Sequence, residues 1–140
     1  MRAQRRRSGA SAIEFALSLP IFLSIVFSII EYGWVFFQES NVIASVRQGV
    51  RYAVTLQREG SCIAANEATD RVRTTLLGVG YSSSQVASAS ITQACQGTGT
   101  ADDPYTLRVS ADVPYTPIIG LVPVPDYIHA DMTMMLEDQT

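Results

Sequence analysis

The sequence predicts an α+β protein that has a long N-terminal transmembrane and amphipathic helix, a second short helix and a small three-stranded antiparallel sheet. Three observations support this prediction. Residues 15–30 form an apolar run without a formal charge, the segments after it repeat apolar residues at helical spacing, and the last third alternates apolar and polar residues. With 140 residues, the chain has the size of one domain with a modest core.

Charge is distributed unevenly along the chain. The net charge is −3, all ten basic residues are arginine, and four arginines lie among the first seven residues. Residues 10–140 therefore carry six arginines against thirteen acidic residues, a net charge of −7. An acidic body behind a short basic leader argues against nucleic-acid binding. The composition also excludes a disordered tail, a collagen-like chain and a disulfide-dense toxin.

The apolar run has three interpretations, of which the first two are a signal peptide and a signal anchor. A cleaved secretory signal is disfavoured because the bulky residues 34–37, rather than a small-x-small cleavage site, follow the run. A signal anchor fits, since residues 15–37 would form a helix of about 35 Å and the hydrocarbon core is about 30 Å thick. Glu31 must then reach the far interface or a partner. The arginine cluster keeps the N-terminus in the cytoplasm by the positive-inside rule.

The third interpretation adds proteolytic processing at Gly9. Cleavage after Gly9 would create an α-amino group at Ala10, and Glu14 would be the fifth residue of the mature chain. The Glu14 carboxylate could then neutralise the amine of a neighbouring subunit and set the register between helices. The alternative is that Glu14 only faces the cytoplasmic interface. The residues alone leave both open.

The apolar helix is expected to bend and then to continue as an amphipathic helix. Pro20 removes one backbone donor, which favours a kink. Apolar residues recur to about Thr55 at helical spacing, which predicts that this half packs on a small domain. Arg47 and Arg51 lie one turn apart, either on a solvated face or as contacts with acidic neighbours in an assembly.

The rest of the chain predicts a second helix and three strands. The second helix is expected over 64–77, with Gly78 as its C-terminal cap. Alternation predicts strands within 86–94, 107–113 and 128–136. A proline-rich connection over 114–125 separates the last two strands. Its apolar part, 117–123, either covers the end of the core or contacts another subunit or the bilayer surface.

Few residues of the sequence suggest a disulfide, a metal site or a catalytic site. Cys62 and Cys95 fall in the region expected to be exported, where a disulfide would stabilise a small head; two free thiols are the alternative. His129 is the only histidine and is expected on the surface of the last strand, so no histidine cluster for zinc exists. We therefore expect no catalytic activity, no cofactor, no metal and no small-molecule substrate.

The N-terminal half resembles the TadE-like minor pilins, or pseudopilins, of tight-adherence (Tad/Flp) type IV pili. The resemblance covers residues 5–55 well and the C-terminal third loosely. The matching elements are Arg5-Arg6-Arg7-Ser8-Gly9-Ala10-Ser11-Ala12-Ile13-Glu14-Phe15, Leu19-Pro20, Glu31-Tyr32-Gly33, and Arg47-Gln48-Gly49-Val50-Arg51-Tyr52-Ala53. Residues 45 and 46 depart slightly from the family's usual alanine pair.

This resemblance implies a division of the chain and a set of partners. Residues 1–9 would be a prepilin leader, 10–37 the transmembrane half of the helix, and 38–140 a periplasmic head that includes the helix continuation to about residue 55. A prepilin peptidase would cut between Gly9 and Ala10. Other partners would be minor pilins, the major pilin, the inner-membrane pilus platform and membrane lipid. The location would be the bacterial inner membrane in a single pass, and then the extracellular pilus after incorporation.

The implied function is assembly of a pilus used for surface attachment. The alternative is a single-pass inner-membrane protein whose periplasmic domain binds another envelope component.

Overall fold

A computed structural model of the chain describes residues 4–56, 66–100 and 102–136, with the backbone alone for residues 4–8 and 10. In these described ranges, three helices precede three strands. They are α1 (Gln4–Thr55), α2 (Glu67–Gly78), α3 (Ser83–Ser88), β1 (Ser90–Gln96), β2 (Thr106–Pro114) and β3 (Tyr127–Met135). The predicted α+β class, with a long apolar first helix and a three-stranded antiparallel sheet, is confirmed.

The chain forms two compact units, and α1 contributes to both. The first unit contains α1 as far as Val35 together with Pro117–Val124, which we call the apolar loop. The second unit contains Phe36–Thr116 and the chain from Pro125 onward.

The first unit contains the most apolar part of α1. Residues 11–25 are all exposed, including the large side chains Ile13, Phe15, Leu17 and Phe22. By length and composition this helix is apolar enough to cross a membrane. Pro20 lies inside the helix, and the Ser24 hydroxyl donates to the Pro20 carbonyl oxygen at 2.8 Å. The predicted bend at Pro20 stays a prediction.

The core of the second unit is formed by the amphipathic half of α1, by α2 and by the inner face of the sheet. The predicted apolar stripe on α1 begins at Val35, which is only partly buried, and is fully or almost fully buried from residue 42 onward; the described members of the predicted stripe on α2 are fully buried, and its first member, Ala65, lies outside the described residues. The buried α1 members are Val42, Val46, Val50 and Ala53, and the buried α2 members are Ala68, Val72 and Leu76. On β2, every second residue from Leu107 to Val113 is buried. Alternation therefore identified the inner face of the sheet correctly.

The sheet is an antiparallel meander in the order β1-β2-β3. In the register of β2 and β3, Val109 pairs with Met132 and Asp112 pairs with His129. The Tyr115 N–H donates to the Asp126 carbonyl at 2.8 Å, just beyond the paired ends of the strands. Residues 115–126 thus form the long connection that the prolines predicted.

Two predicted boundaries were wrong. Residues 86–88, expected in the first strand, end the short helix α3, and β1 begins only at Ser90. A capping box starts α3: the Ser82 hydroxyl accepts from the Gln85 N–H, and the Gln85 side-chain oxygen accepts from the Ser82 N–H at 3.1 Å. These two bonds satisfy donors at the N-terminus of the helix, which favours helix over strand there.

The predicted cap at Gly78 is displaced by two residues. Gly78 is the last helical residue, and Gly80 adopts the left-handed conformation at φ 101°. The Tyr81 N–H donates to Leu76 and the Gly80 N–H donates to Leu77, which is the pattern of a Schellman motif. Tyr81 and Leu76 are both buried, so the motif also gains an apolar contact. The predicted start of this helix at residue 64 lies outside the described residues.

The contribution of Tyr81 to the stability of the second unit should depend on pH in the alkaline range. Burial raises the pKa of Tyr81 from 10.0 to about 12, and its hydroxyl donates to the Gln38 carbonyl at 3.2 Å. Because the folded-state pKa is raised, this contribution is complete below pH 10 and is lost as the pH rises toward 12. We expect Tyr81→Phe to lower the free energy of unfolding near neutral pH by about 0.5–1.5 kcal/mol.

The measurement is unfolding of the full chain in detergent, followed by circular dichroism at several pH values between neutral and alkaline. Tyr127→Phe is the control, because Tyr127 is 60% exposed. The difference between wild type and Tyr81→Phe should shrink above pH 10. An unchanged difference over that range would contradict the role given to the phenol.

Candidate functional site

The clearest polar site of the first unit surrounds Glu31, which is completely buried. One carboxylate oxygen, Oε1, accepts from the Ile118 N–H at 3.1 Å. The other, Oε2, accepts from the Ile119 N–H at 2.8 Å and from the Gly120 N–H at 3.3 Å. Three successive backbone amides of the apolar loop therefore converge on one side chain of α1. Such a nest of N–H groups is an anion-binding arrangement.

The neighbouring residues of both segments complete this site. The hydroxyl of Tyr32 donates to the carbonyl oxygen of Pro123 at 3.3 Å, so consecutive residues of α1 hold the two ends of the apolar loop. Gly120 adopts a left-handed conformation at φ 70°, which a residue with a β-carbon rarely adopts. We call this set of contacts the Glu31 clamp.

The Glu31 clamp supplies the partner that the sequence predicted for the Glu31 carboxylate. A carboxylate inside an apolar helix was expected to reach the far interface or a partner, and it has a partner within its own chain. The apolar loop was expected to cover the core or to contact a subunit or the bilayer. In the structure it packs against α1 within the first unit, while Ile118 and Leu121 stay 57% and 68% exposed.

The predicted processing and pairing residues lie at the start of α1. Gly9 and Glu14 are helical and exposed, and the Ala10 backbone is also helical. Glu14 stands between Ile13 and Phe15, each of which is 64% exposed. This carboxylate is thus accessible within an apolar surface. Cleavage after Gly9 and subunit pairing by Glu14 remain predictions.

The two arginines of the amphipathic half of α1 are exposed on the second unit. Between Arg47 and Arg51 lies Gly49, which is buried against α2. A β-carbon at Gly49 would meet the side chain of Val72 and would come within 2.9 Å of the Ala68 carbonyl oxygen. The motif thus combines two exposed charges with one close helix contact. The role of Arg47 and Arg51 in assembly stays a prediction.

One of the two cysteines of the predicted disulfide lies in the sheet. Cys95 lies in β1, one residue beyond the predicted strand, and is partly exposed. Cys62 lies outside the described residues. The Cys62–Cys95 pairing therefore stays a prediction.

The outer face of the sheet carries a line of charged side chains. The His129 Nδ1 atom lies 2.7 Å from Asp112 Oδ1, and the Asp131 carboxylate accepts from Arg108 at 3.0 Å. His129 is exposed on β3, as predicted. Among the described residues, no group of three or more His, Cys, Asp or Glu side chains is arranged to hold a metal ion.

Sequence reasoning missed two contacts of this molecule. The nest in the apolar loop was missed because backbone N–H groups leave no residue-type signature; Gly120 between apolar residues was its only local signal. The capping box of α3 was readable, since Ser82 and Gln85 have the spacing of that motif.

Comparisons with known proteins identify a family for the N-terminal part of the chain. Residues 9–51 match the family model described as TadE-like protein. No curated protein and no solved structure matches the chain. The matched range contains Gly9, Glu14, Glu31 and the Arg47–Arg51 motif, and it implies a protein associated with the Tad pilus. The matched segment, with its long apolar helix that fits a single-pass membrane protein, is TadE-like.

Proposed function

We propose that this chain is a minor pilin-like subunit that takes part in assembly of a tight-adherence pilus for surface attachment. The observation that carries the proposal is the TadE-like segment 9–51, in which an exposed acidic residue stands near the start of an exposed apolar helix. The helix is held in the inner membrane with its N-terminus in the cytoplasm, and the second unit faces the periplasm until the subunit enters the pilus.

The two acidic residues of the apolar helix have different tasks in this proposal. Glu31 is buried and already accepts three hydrogen bonds from its own chain. Glu14 is exposed, so its carboxylate is available to a neighbour. Because an unpaired charge in an apolar bundle is costly, a neighbour's amino group is the partner that would stabilise Glu14 there.

The partner amine is produced by processing. A prepilin peptidase cuts between Gly9 and Ala10, removes the four leader arginines and leaves an α-amino group at Ala10. When helices stack with an axial offset, the Ala10 amine of one subunit lies near the Glu14 carboxylate of the next. The further partners are other minor pilins, the major pilin and the inner-membrane pilus platform. The chain acts without a cofactor and is not an enzyme.

The alternative function is a single-pass membrane protein whose periplasmic domain binds another envelope component and never enters a fibre. The exposed apolar helix supports both functions equally. The TadE-like match favours the pilus-associated one.

The test compares processing with assembly in cells that have an active prepilin peptidase. Mass spectrometry of the membrane protein should find Ala10 as the N-terminus. Glu14→Ala should leave that N-terminus unchanged but should strongly reduce the amount of the chain recovered with sheared pili, because the amine of the neighbour loses its partner. Glu39→Ala is the control, because Glu39 lies on the same helix beyond the apolar half.

Other outcomes would contradict separate parts of this proposal. An intact leader in such cells would contradict processing. Loss of cleavage in Glu14→Ala would assign Glu14 to peptidase recognition instead of subunit pairing. Normal incorporation of Glu14→Ala would remove the pairing role.

A further inference from the structure

The apolar loop has a composition that is unusual for a connection between strands. Its eight residues, Pro117–Val124, include no charged and no polar side chain. Ile118 and Leu121 are 57% and 68% exposed, although single loops in water usually turn large aliphatic side chains inward. The loop thus presents apolar side chains outward and directs backbone amides inward toward Glu31.

Most backbone positions of the apolar loop either lack an N–H group or donate it to Glu31. In hydrocarbon each unsatisfied backbone polar group costs several kcal/mol, and irregular backbone is tolerated at that depth only where it is buried against protein or meets water, so paired donors favour a loop at the boundary of the bilayer. Pro117 and Pro123 have no N–H group, and the amides of residues 118–120 donate to Glu31. Five of the eight backbone positions in the apolar loop therefore expose no free donor.

The position of the Glu31 clamp along α1 matches the edge of a bilayer. Glu31 directly follows the uncharged apolar run of residues 15–30, which rises about 24 Å, so its carboxylate lies near one edge of a hydrocarbon core about 30 Å thick. The next residues, Tyr32 and Trp34, are of the type enriched where membrane and water meet. A loop held by Glu31 and Tyr32 lies at this depth.

We infer that the apolar loop is a membrane contact, whose side chains Ile118 and Leu121 enter the lipid at the outer boundary of the bilayer while Glu31 satisfies the loop amides. This inference rests on the membrane-spanning part of the proposed function. The partner is phospholipid, because the loop belongs to the same compact unit as the apolar half of α1 and all of its side chains are apolar. The loop adds a second apolar anchor beside the single helix.

Tryptophan fluorescence tests the contact in the full chain. In a Trp34→Phe background, which removes the only native tryptophan, Leu121→Trp reports from the loop and Thr133→Trp reports from the outer face of β3. Both variants are reconstituted in vesicles of phosphatidylethanolamine and phosphatidylglycerol, with or without brominated acyl chains. Ile118→Trp serves as a second loop variant. Resistance of each variant to alkaline extraction establishes that the helix is inserted.

We expect the loop tryptophans to emit at shorter wavelength than the β3 tryptophan, to lose emission to brominated lipid and to resist aqueous acrylamide. The β3 tryptophan should show the reverse. Inserted protein whose loop tryptophans respond to acrylamide alone would overturn the inference and leave the membrane span intact. Loop tryptophans that neither quencher reaches would overturn it in favour of a protein contact, which in these vesicles is a second copy of the chain. Protein that alkali extracts would contradict both the inference and the membrane-spanning proposal.

Discussion

Glu31→Ala is expected to release the apolar loop from α1. The substitution removes the acceptor of three backbone N–H groups, and a hydrogen bond to a charged group contributes about 1.5–3 kcal/mol. Even one such loss corresponds to about a tenfold change in an equilibrium. We therefore expect amide hydrogen exchange of residues 118–120 to accelerate by at least about tenfold.

The measurement is hydrogen exchange of the full chain in detergent or in lipid, resolved to the peptide that contains the apolar loop. Exchange of β2 and β3 should stay close to wild type, because the Glu31 clamp lies outside the unit that contains the sheet. Glu39→Ala removes a carboxylate from the same helix and is the matched control. Unchanged protection of residues 118–120 in Glu31→Ala would show that other contacts hold the loop.

Glu31→Gln separates charge from shape at the same position. The amide keeps one acceptor oxygen, but its NH₂ group then faces at least one of the three N–H donors. We expect faster exchange than in wild type and slower exchange than in Glu31→Ala. Equal exchange in Glu31→Gln and wild type would show that the shape of the side chain suffices.

The sequence predicted the elements of this fold far better than it predicted the Glu31 clamp. The strands were recoverable because period-2 alternation is imposed by one buried sheet face, as the run from Leu107 to Val113 shows. Glu31 was recognisable as a carboxylate that needed a partner, because a charge in an apolar helix is costly. Its partners were not recognisable, since they are backbone groups that lie 87 to 89 residues away in sequence.

Two element boundaries were predicted wrongly, because local hydrogen bonds determine them more strongly than the apolar pattern does. The apolar pattern placed Val86 at the start of a strand, but the Ser82–Gln85 capping box starts the helix α3, which contains Val86. Gly78 appeared to be the cap, but Gly80 lets the Tyr81 amide return to Leu76 and lets Tyr81 be buried there. Local hydrogen bonds of this kind determine where a helix or strand ends to within two residues. Hydrophobic periodicity does not locate the end of an element that precisely.

Gly49→Ala should destabilise the second unit, although alanine is intrinsically the better helix former by about 1 kcal/mol. The added methyl group would meet the Val72 side chain and would come within 2.9 Å of the Ala68 carbonyl oxygen. Both neighbours are fully buried parts of α2, and one contact is backbone, so α2 must move away from α1. Overpacking of this kind costs about 1–3 kcal/mol, which exceeds the gain in helix propensity over most of that range.

Gly78→Ala is the matched control for this contact. Gly78 is also helical and lies in the same unit, but a β-carbon there meets no atom within 4 Å. We expect Gly78→Ala to leave the free energy of unfolding unchanged or to raise it by up to about 1 kcal/mol. Gly49→Ala should lower it, and hydrogen exchange in α2 should accelerate.

The sign of the Gly49→Ala effect decides why glycine stands between the two arginines. A stabilised Gly49→Ala variant would mean that α2 yields without cost, and the glycine would then need another explanation. A destabilised variant would show that close packing against α2 requires glycine at this position. Arg47 and Arg51 remain exposed on either side of it. Replacing those two arginines by glutamine should then leave stability nearly unchanged, because exposed charges contribute little to folding. A loss of pilus incorporation in that double variant would therefore be attributable to contacts with other subunits.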